Sequence, residues 1–502
     1  MLGGNKMPTA TEWLYLAGLF GILFLFVGIA EKTRSALGWS PEVTRKFVHI
    51  ATGIVVFFTP YIFRTNIPLL VLAGIFTVIN ALSLKAETFK GMHDTERTTY
   101  GTVFYPISII VMAVLFWDKY PQILQMGTLI LALSDAFAAI VGQNVRHPHV
   151  FHVTQDAKSV EGSLTFFALS FFIALVGLSL LHQQPLTLGT RVWVAFLTAF
   201  VATVTETLSW AGLDNITAPL AATFVLHVAI AHPESFGQFS VGLFLALLVG
   251  LASFAAQFLD ASGTVALFLL GTLIFGVGGW IWAVPILLFF ISSSVLSKLW
   301  KAKKAESNLF FEKSSRRDWA QVFANGGMAG FSVIFWYIWP KPIWYAIYLG
   351  SLAAVTADTW ATEIGVLSRR APRLITSFRK VLPGTSGGIS IVGLSGAFLG
   401  AFFIAAVGVA IAPHLFSSPW RAVWIVTLSG FAASLVDSLF GATLQAQFRC
   451  TVCQKITERR VHCNNTPTLF ESGQRWINND VVNSFCALSG FLFAALLIIW
   501  WC

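Results

Sequence analysis

From one end of this chain to the other, apolar stretches recur that are about twenty residues long, the length an α-helix needs to cross a bilayer core. Inside hydrocarbon every backbone N–H and C=O must find its partner within the segment, so such stretches fold as helices. Composition agrees with that constraint. Of 502 residues 56% are hydrophobic and 11% charged, with a mean hydropathy of +0.74. A soluble protein carries about a quarter charged residues. The 46 Phe and 18 Trp suit lipid-facing surface and interfacial belts. The expected fold is an all-α, polytopic transmembrane helical protein of about sixteen spans. Segments near 47–63, 100–117, 321–340 and 343–366 are among those spans. The first apolar run lacks a small-residue cleavage site and reads as a retained helix.

Basic loops set the orientation, because Lys and Arg gather on the cytoplasmic side of a membrane. One connection carries Lys298, Lys301, Lys303, Lys304, Lys313, Arg316 and Arg317. Two spans later come Arg369, Arg370, Arg373, Arg379 and Lys380, and two spans beyond those Arg449, Lys455, Arg459, Arg460 and Arg475. Loops two spans apart share a side, so all three face the cytoplasm, and a bacterial inner membrane is the expected setting. The net charge of +9 is read as this topology signal, with some attraction for phosphorylated substrates, and not as a nucleic-acid footprint.

The polar stretch His232-Pro233-Glu234-Ser235-Phe236-Gly237 marks the seam between two tandem membrane domains, 1–235 and 236–502. An approximate echo supports the division. Asp135 among small residues is followed by Lys158-Ser159-Val160-Glu161-Gly162-Ser163, and Asp358 by Pro383-Gly384-Thr385-Ser386-Gly387-Gly388. Chance similarity between Ala/Gly-rich helices is the competing explanation.

Acids inside membrane helices are costly and mark function. Asp135, Glu206, Asp358, Glu363 and Asp437 lie in apolar surroundings, and Asp480 opens the last span. Any one of them alone reads equally as a helix-end acid reaching water or an Arg. Six on one face form the kind of oxygen set that holds Mg²⁺ on nucleotide phosphates. Asp214 and Asn215 join Glu206 at one such turn. Lys158, Ser159 and Gly162 lead into a helix N-terminus, which is either a phosphate site or an ordinary capped start. The glycine-rich loop of Gly384, Thr385, Ser386, Gly387 and Gly388 has the same physics, with a flexible turn as its alternative. Arg45 and Lys46 read either as positive-inside anchors or, with His49 one turn deeper, as groups that bind substrate or nucleotide phosphate. Glu96-Arg97-Thr98-Thr99 mixes charge and hydroxyls at a span entrance. Cys450-x-x-Cys453 with His462-Cys463 has ligand types suited to tetrahedral Zn²⁺, against the alternative of reduced, unligated thiols in a polar loop.

Taken in order, these motifs resemble known families. Arg45-Lys46 with His49, Glu96-Arg97-Thr98-Thr99, Asp135-x-x-Ala138 with Gly142, Lys158-Ser159-Val160-Glu161-Gly162-Ser163 and Glu206 with Asp214-Asn215 and Pro219 resemble the CTP-dependent polyprenol kinases, the dolichol and phytol kinase family. Ser134 stands where that pattern has Gly. Arg317-Asp318 with Gln321 to Gly326, Ala357-Asp358-Thr359-Trp360-x-x-Glu363, the 383–388 loop, Asp437-Ser438 and Asn479-Asp480 resemble the phytyl-phosphate kinase family. The resemblance implies a bifunctional enzyme that converts a prenol to its monophosphate and then its diphosphate, with CTP as donor. Asp135, Glu206 and Asp214 would then hold Mg²⁺ or activate the hydroxyl, with Lys158 on phosphate and Asn215, Glu161 and Arg97 in the same site. In the second half Asp358, Glu363, Asp437 and Asp480 would hold metal, with Asn325 and the 383–388 loop binding substrate. Expected partners are the bilayer, an isoprenoid alcohol, an isoprenyl phosphate and a nucleoside triphosphate. Two rivals remain: a membrane cytidylyltransferase resembling CDP-diacylglycerol synthase, and a transporter, whose charges belong nearer the bilayer midplane.

Overall fold

The computed structural model describes residues 7–86, 99–182, 186–299, 316–463 and 466–501. By its internal contacts the chain divides into two compact units, Met1–Phe236 and Gly237–Cys502.

In the first unit the helices are α1 (Ala10–Leu37), α2 (Pro41–Ile62), α3 (Ile67–Ala86), α4 (Gly101–Phe116) and α5 (Pro121–Asn144). A two-stranded ribbon, β1 (Val150–His152) against β2 (Ala157–Ser159), precedes α6 (Val160–Leu180), α7 (Leu188–Leu208) and α8 (Asp214–Ala231). Local chemistry fixes the starts. Thr9 and Glu12 close a capping box on α1, and Ser40 caps α2 with Pro41 in its first turn. Inside α5 the turn Ile130–Ser134 is a π-helix, a widened turn often found at functional sites, and it ends on Asp135. Ala138, Ala202, Ala218 and Ala222 pack with Ile130 and Phe166 in one buried cluster, drawing α5, α6, α7 and α8 together.

The second unit holds α9 (Phe236–Ala255), α10 (Ala261–Gly278), α11 (Trp280–Lys298), α12 (Trp319–Ile338), α13 (Ile343–Gly365), α14 (Ile391–Ile411), α15 (Pro419–Thr443) and α16 (Asn479–Trp501). Asp260 and Asp318 are N-caps of α10 and α12. The centre is α13, buried without a break from Tyr345 to Ala357. Small residues allow this: a side chain at Gly350 would run into the Gly490 carbonyl of α16, and one at Gly430 into Ala353. Short strands β3 (Arg373–Leu374) and β4 (Gly388–Ile389) pair beside the glycine-rich loop.

Among the described residues, twelve helices are long and apolar enough to cross a membrane, so the count of about sixteen is not confirmed. The expected spans outside the twelve are α2, α4, α12 and α13. α4 is only 16 residues long. α13 faces protein instead of lipid, so Ala, Ser, Thr and Gly replace the Leu and Phe that raise hydropathy. A second correction concerns residues 445–480, expected as a polar loop. They carry a four-stranded sheet of β5 (Gln447–Cys450), β6 (Ile456–Thr457), β7 (Val461–His462) and β8 (Thr466–Ser472) in the order β6-β5-β8-β7. A polar segment outside hydrocarbon can leave sheet edges to water, which a membrane span cannot.

Candidate functional site

In the first unit, the alanine cluster determines where the acids go. Asp135 lies one turn before Ala138, Glu206 one turn after Ala202, and Asp214 one turn before Ala218. Packing the three alanines therefore brings three carboxylates to one end of the bundle, close enough that the charge of Asp135 acts on Glu206. Each meets an ammonium. Lys46 Nζ is 2.5 Å from Asp135 Oδ2 and only 5% exposed. Lys158 bridges Glu206 and Asp214, with Asp214 Oδ2 at 3.1 Å. Burial opposes charge on Lys158, but the Asp214 and Glu206 carboxylates outweigh it and hold the ammonium above the ordinary lysine range. Two acceptors are left over: Glu206 Oε2 and Asn215 Oδ1 are buried with no hydrogen-bond partner.

His49 sits beside this cluster. Its Nε2 is 2.9 Å from the Leu131 carbonyl in the π-turn and 3.7 Å from Asp135 Oδ2, while Tyr105 donates to the His49 carbonyl. A carbonyl only accepts, so Nε2 carries the proton and Nδ1 keeps its lone pair. Arg45 pairs with Glu42 at 2.7 Å. Arg45, His49, Asn80, Thr102 and Tyr105 form the polar end of a cavity of about 130 Å³, whose remaining wall, Thr52 apart, is apolar and is shared by α1, α2, α3 and α4. Thr102 Oγ1 is buried there without a partner.

The second unit uses a different arrangement. Cys486 Sγ lies 3.7 Å from the Ala354 carbonyl and 3.6 Å from that of Ala433, in a buried cluster of these three residues. One turn further along α13 and α15 stand Asp358 and Asp437, whose carboxyl groups lie against each other. Among the described residues no cation pairs with either, and Asp437 Oδ2 is buried without a partner. The glycine-rich loop packs just beyond: Ser386 donates to Gln445 Oε1 at 2.5 Å, and Gly387, at φ +76°, has no room for a side chain against Ala442 and the Ser438 carbonyl. The loop thus lies over the end of α15, one turn past Asp437.

Protein PGR of Arabidopsis thaliana is 32% identical to this chain over 231 residues, 42% of this chain and 80% of its own length. The uncharacterized membrane protein MJ0933 of Methanocaldococcus jannaschii is 30% identical over 42% of this chain and 85% of its own. The profile of the integral membrane protein family DUF92 matches residues 244–491. The chain belongs to the DUF92 family. This DUF92 protein is also similar to the phytol kinase of Synechocystis, at 33% identity over 43% of this chain and 93% of that enzyme. No solved structure matches it.

Within the DUF92 chain, the sequence-selected residues sort by where they fall. Lys46, His49, Asp135, Lys158, Glu206, Asp214 and Asn215 gather in the first unit; Thr99, the described end of its motif, closes on Gly212 beside Asn215, and Arg97 lies outside the described residues. Ser159 caps α6 by accepting from the Gly162 N–H, and Glu161 turns to His149, away from Lys158. In the second unit Asp358 and Asp437 meet, Asp480 is buried at the start of α16, and Glu363 stands at the end of α13. Asn325 is elsewhere, lining an apolar cavity of about 60 Å³ with Arg317 and Gln321, and its amide donates to the Gln321 carbonyl. Sequence reasoning missed Gln445. It is 3% exposed, and its Nε2 has no partner. The spacing Asp437, Gly441, Gln445, one helix face at intervals of four, was the available signal. Cys450, Cys453, His462 and Cys463 converge with ligand atoms within 4.8 Å of one another. The Cys453 backbone N–H draws the Cys450 thiol down to about 6, whereas the Cys453 sulfur pushes Cys463 up to about 11.

Proposed function

We propose that this protein phosphorylates an isoprenoid alcohol in its first unit and the resulting monophosphate in its second, with CTP as donor. The observation that carries the reading is the first unit's cavity. Most of its wall is apolar, and its charged and titratable groups gather where His49 and Arg45 adjoin the Lys46–Asp135 pair. An alcohol with a long hydrocarbon tail has that same distribution of polarity. The likeness to a phytol kinase supports the same substrate class.

Phosphoryl transfer needs chiefly positioning and charge neutralisation. With the hydroxyl at the polar end, His49 takes its proton on Nδ1, and the Asp135 carboxylate beside the ring stabilises the imidazolium that forms. Lys46 and Lys158 then stand where phosphate charge has to be balanced, with Arg45 at the rim. Glu206 Oε2 and Asn215 Oδ1 are oxygen ligands without partners, a donor set that fits Mg²⁺. In the second unit the Asp358–Asp437 pair fits the same ion, since two carboxyl groups in contact bring ligand charge together with no protein cation against it. Bound Mg²⁺ supplies neutralisation of the donor phosphates. The 383–388 loop and the Gln445 amide offer N–H donors to the phosphate of the monophosphate.

The test is purified full-length protein with CTP, Mg²⁺ and a panel of prenols, products resolved by mass spectrometry. Prenyl monophosphate, prenyl diphosphate and CDP are the expected products. Pyrophosphate with a CDP-linked lipid identifies a cytidylyltransferase, and movement of solute across vesicles without phosphorylation identifies a transporter.

A further inference from the structure

The kinase reading leaves the sheet between α15 and α16 without a role, and its tip carries the strongest collection of soft metal ligands among the described residues. β5 ends on Cys450 and turns through Cys453 into β6, while β7 ends on His462 and turns through Cys463 into β8. Because β5 and β7 both pair with β8, the two turns come side by side. Cys453 Sγ lies 3.6 Å from His462 Nδ1, and that nitrogen lies 3.1 Å from Cys463 Sγ. A tetrahedral ion with Zn–S near 2.3 Å and Zn–N near 2.0 Å separates sulfur from nitrogen by about 3.5 Å. The spacing is that of ligands around one ion.

Backbone geometry points the same way. Gln454 and Cys463 adopt φ of +59° and +36°, a left-handed conformation costly for residues with a side chain. For Cys463 that twist has a use: adjacent residues normally point apart, and here His462 and Cys463 aim at a single point. The strands are two to seven residues long and lie against few buried side chains, so this little sheet lacks a core able to hold such strain.

We propose that Cys450, Cys453 and Cys463 as thiolates, with His462 through Nδ1, bind one structural zinc ion. Binding takes all three cysteines as thiolates, whatever thiol protons remain pass to solvent, and no redox change is involved. Three thiolates and a neutral imidazole on Zn²⁺ leave one net negative charge, in a loop that also carries Lys455, Arg459 and Arg460. Four protein ligands close the coordination sphere, which is the pattern of a structural site. The base of the insertion is already fastened by Ala446 N–H to Ile477 C=O at 2.8 Å and Gln474 N–H to Leu444 C=O at 2.9 Å. Zinc would fasten the far end.

The experiment is elemental analysis of the full-length protein, purified without chelator, together with Cys453→Ser, Cys463→Ser and the control Cys486→Ser. Wild type and the control are expected to carry one equivalent of zinc, and both loop variants to lose most of it. As a check independent of variant folding, the loop thiols of wild type should react with a thiol reagent at least tenfold faster after a strong zinc chelator is added. No metal, iron in place of zinc, a Cys450–Cys453 disulfide, or full zinc in both loop variants would overturn the proposal. None of these readouts depends on kinase activity.

Discussion

Each deep carboxylate of the first unit has an ammonium against it, Lys46 on Asp135 and Lys158 on Glu206 and Asp214, whereas in the second Asp358 and Asp437 face each other with no cation beside them among the described residues. A buried charge needs a partner, and the two units find theirs differently. The first carries its counterions in the sequence and is close to neutral by itself. The second depends on a proton or a bound cation to relieve two carboxyl groups in contact. On the kinase reading, the first unit meets nucleotide phosphates with two ammonium groups of its own beside any metal, and the second draws its positive charge from metal alone.

The largest expected effect comes from taking away a counterion. Lys158→Met leaves Glu206 and Asp214 together at a site where Glu206 is 7% exposed. Removing one partner of such a buried pair costs about 3–5 kcal/mol. Thermal unfolding in detergent should show that loss, and prenol phosphorylation should disappear. A variant as stable as wild type would mean that water reaches this triad and would erase the contrast between the units.

Next comes a matched pair of amide substitutions, for which the units should answer with opposite signs. Asp135→Asn strands Lys46 in a buried position and should cost about 1–3 kcal/mol. Asp358→Asn removes one of two facing carboxyls, so stability without metal should hold or rise, while the stabilisation that Mg²⁺ gives wild type is lost. In assays Asp135→Asn should block the alcohol step and spare conversion of added monophosphate, and Asp358→Asn should accumulate monophosphate. A folded variant lacking both steps would point to one composite site.

How much of this was legible in the sequence depends on what the signal was. The membrane class was visible because hydrocarbon imposes apolar length, and the acids stood out because such residues are rare in it. The span count was not, since a helix such as α13, surrounded by protein, no longer needs lipid-like composition. Lys46 and Lys158 were noticed as phosphate ligands, yet their pairing with Asp135, Glu206 and Asp214 spans 48 to 89 residues and follows only from how three alanines pack. Gln445 escaped notice because a lone Gln has no signature until Ser386 and a partnerless buried amide are seen beside it.

A smaller effect separates the two anion loops. Gly387→Ala forces a side chain onto a left-handed backbone and towards the Ser438 carbonyl at 2.7 Å, so the loop must move off α15. About tenfold in KM for the monophosphate, or about 1.4 kcal/mol, is expected with folding retained. At Gly162 the backbone is helical, and the contacts are Ser159 Oγ at 2.9 Å and the Ala138 carbonyl at 3.0 Å, which a slight shift relieves. Gly162→Ala should therefore change alcohol kinetics less than Gly387→Ala changes the second step. The reverse order would show that the first loop is the more tightly built.

The smallest effect is a pH dependence that belongs to the first unit. Lys158 is held above the ordinary lysine range in the folded protein, since its two carboxylates outweigh the cost of burying it. A raised folded-state pKa means that the folded protein keeps its proton more firmly than the unfolded chain does. The resulting stabilisation is complete below the unfolded lysine value of about 10.4 and disappears as pH climbs through the higher folded value. Unfolding of wild type should thus show no loss from this triad between neutral pH and about pH 10, and a decline only above it. Lys158→Met should lack that alkaline component, so the difference between the two proteins should narrow only above about pH 10. If the difference narrowed already between pH 7 and 9, Lys158 would be losing its proton early. The triad would then be a solvated cluster, and the first unit would have no standing counterion with which to receive a phosphate.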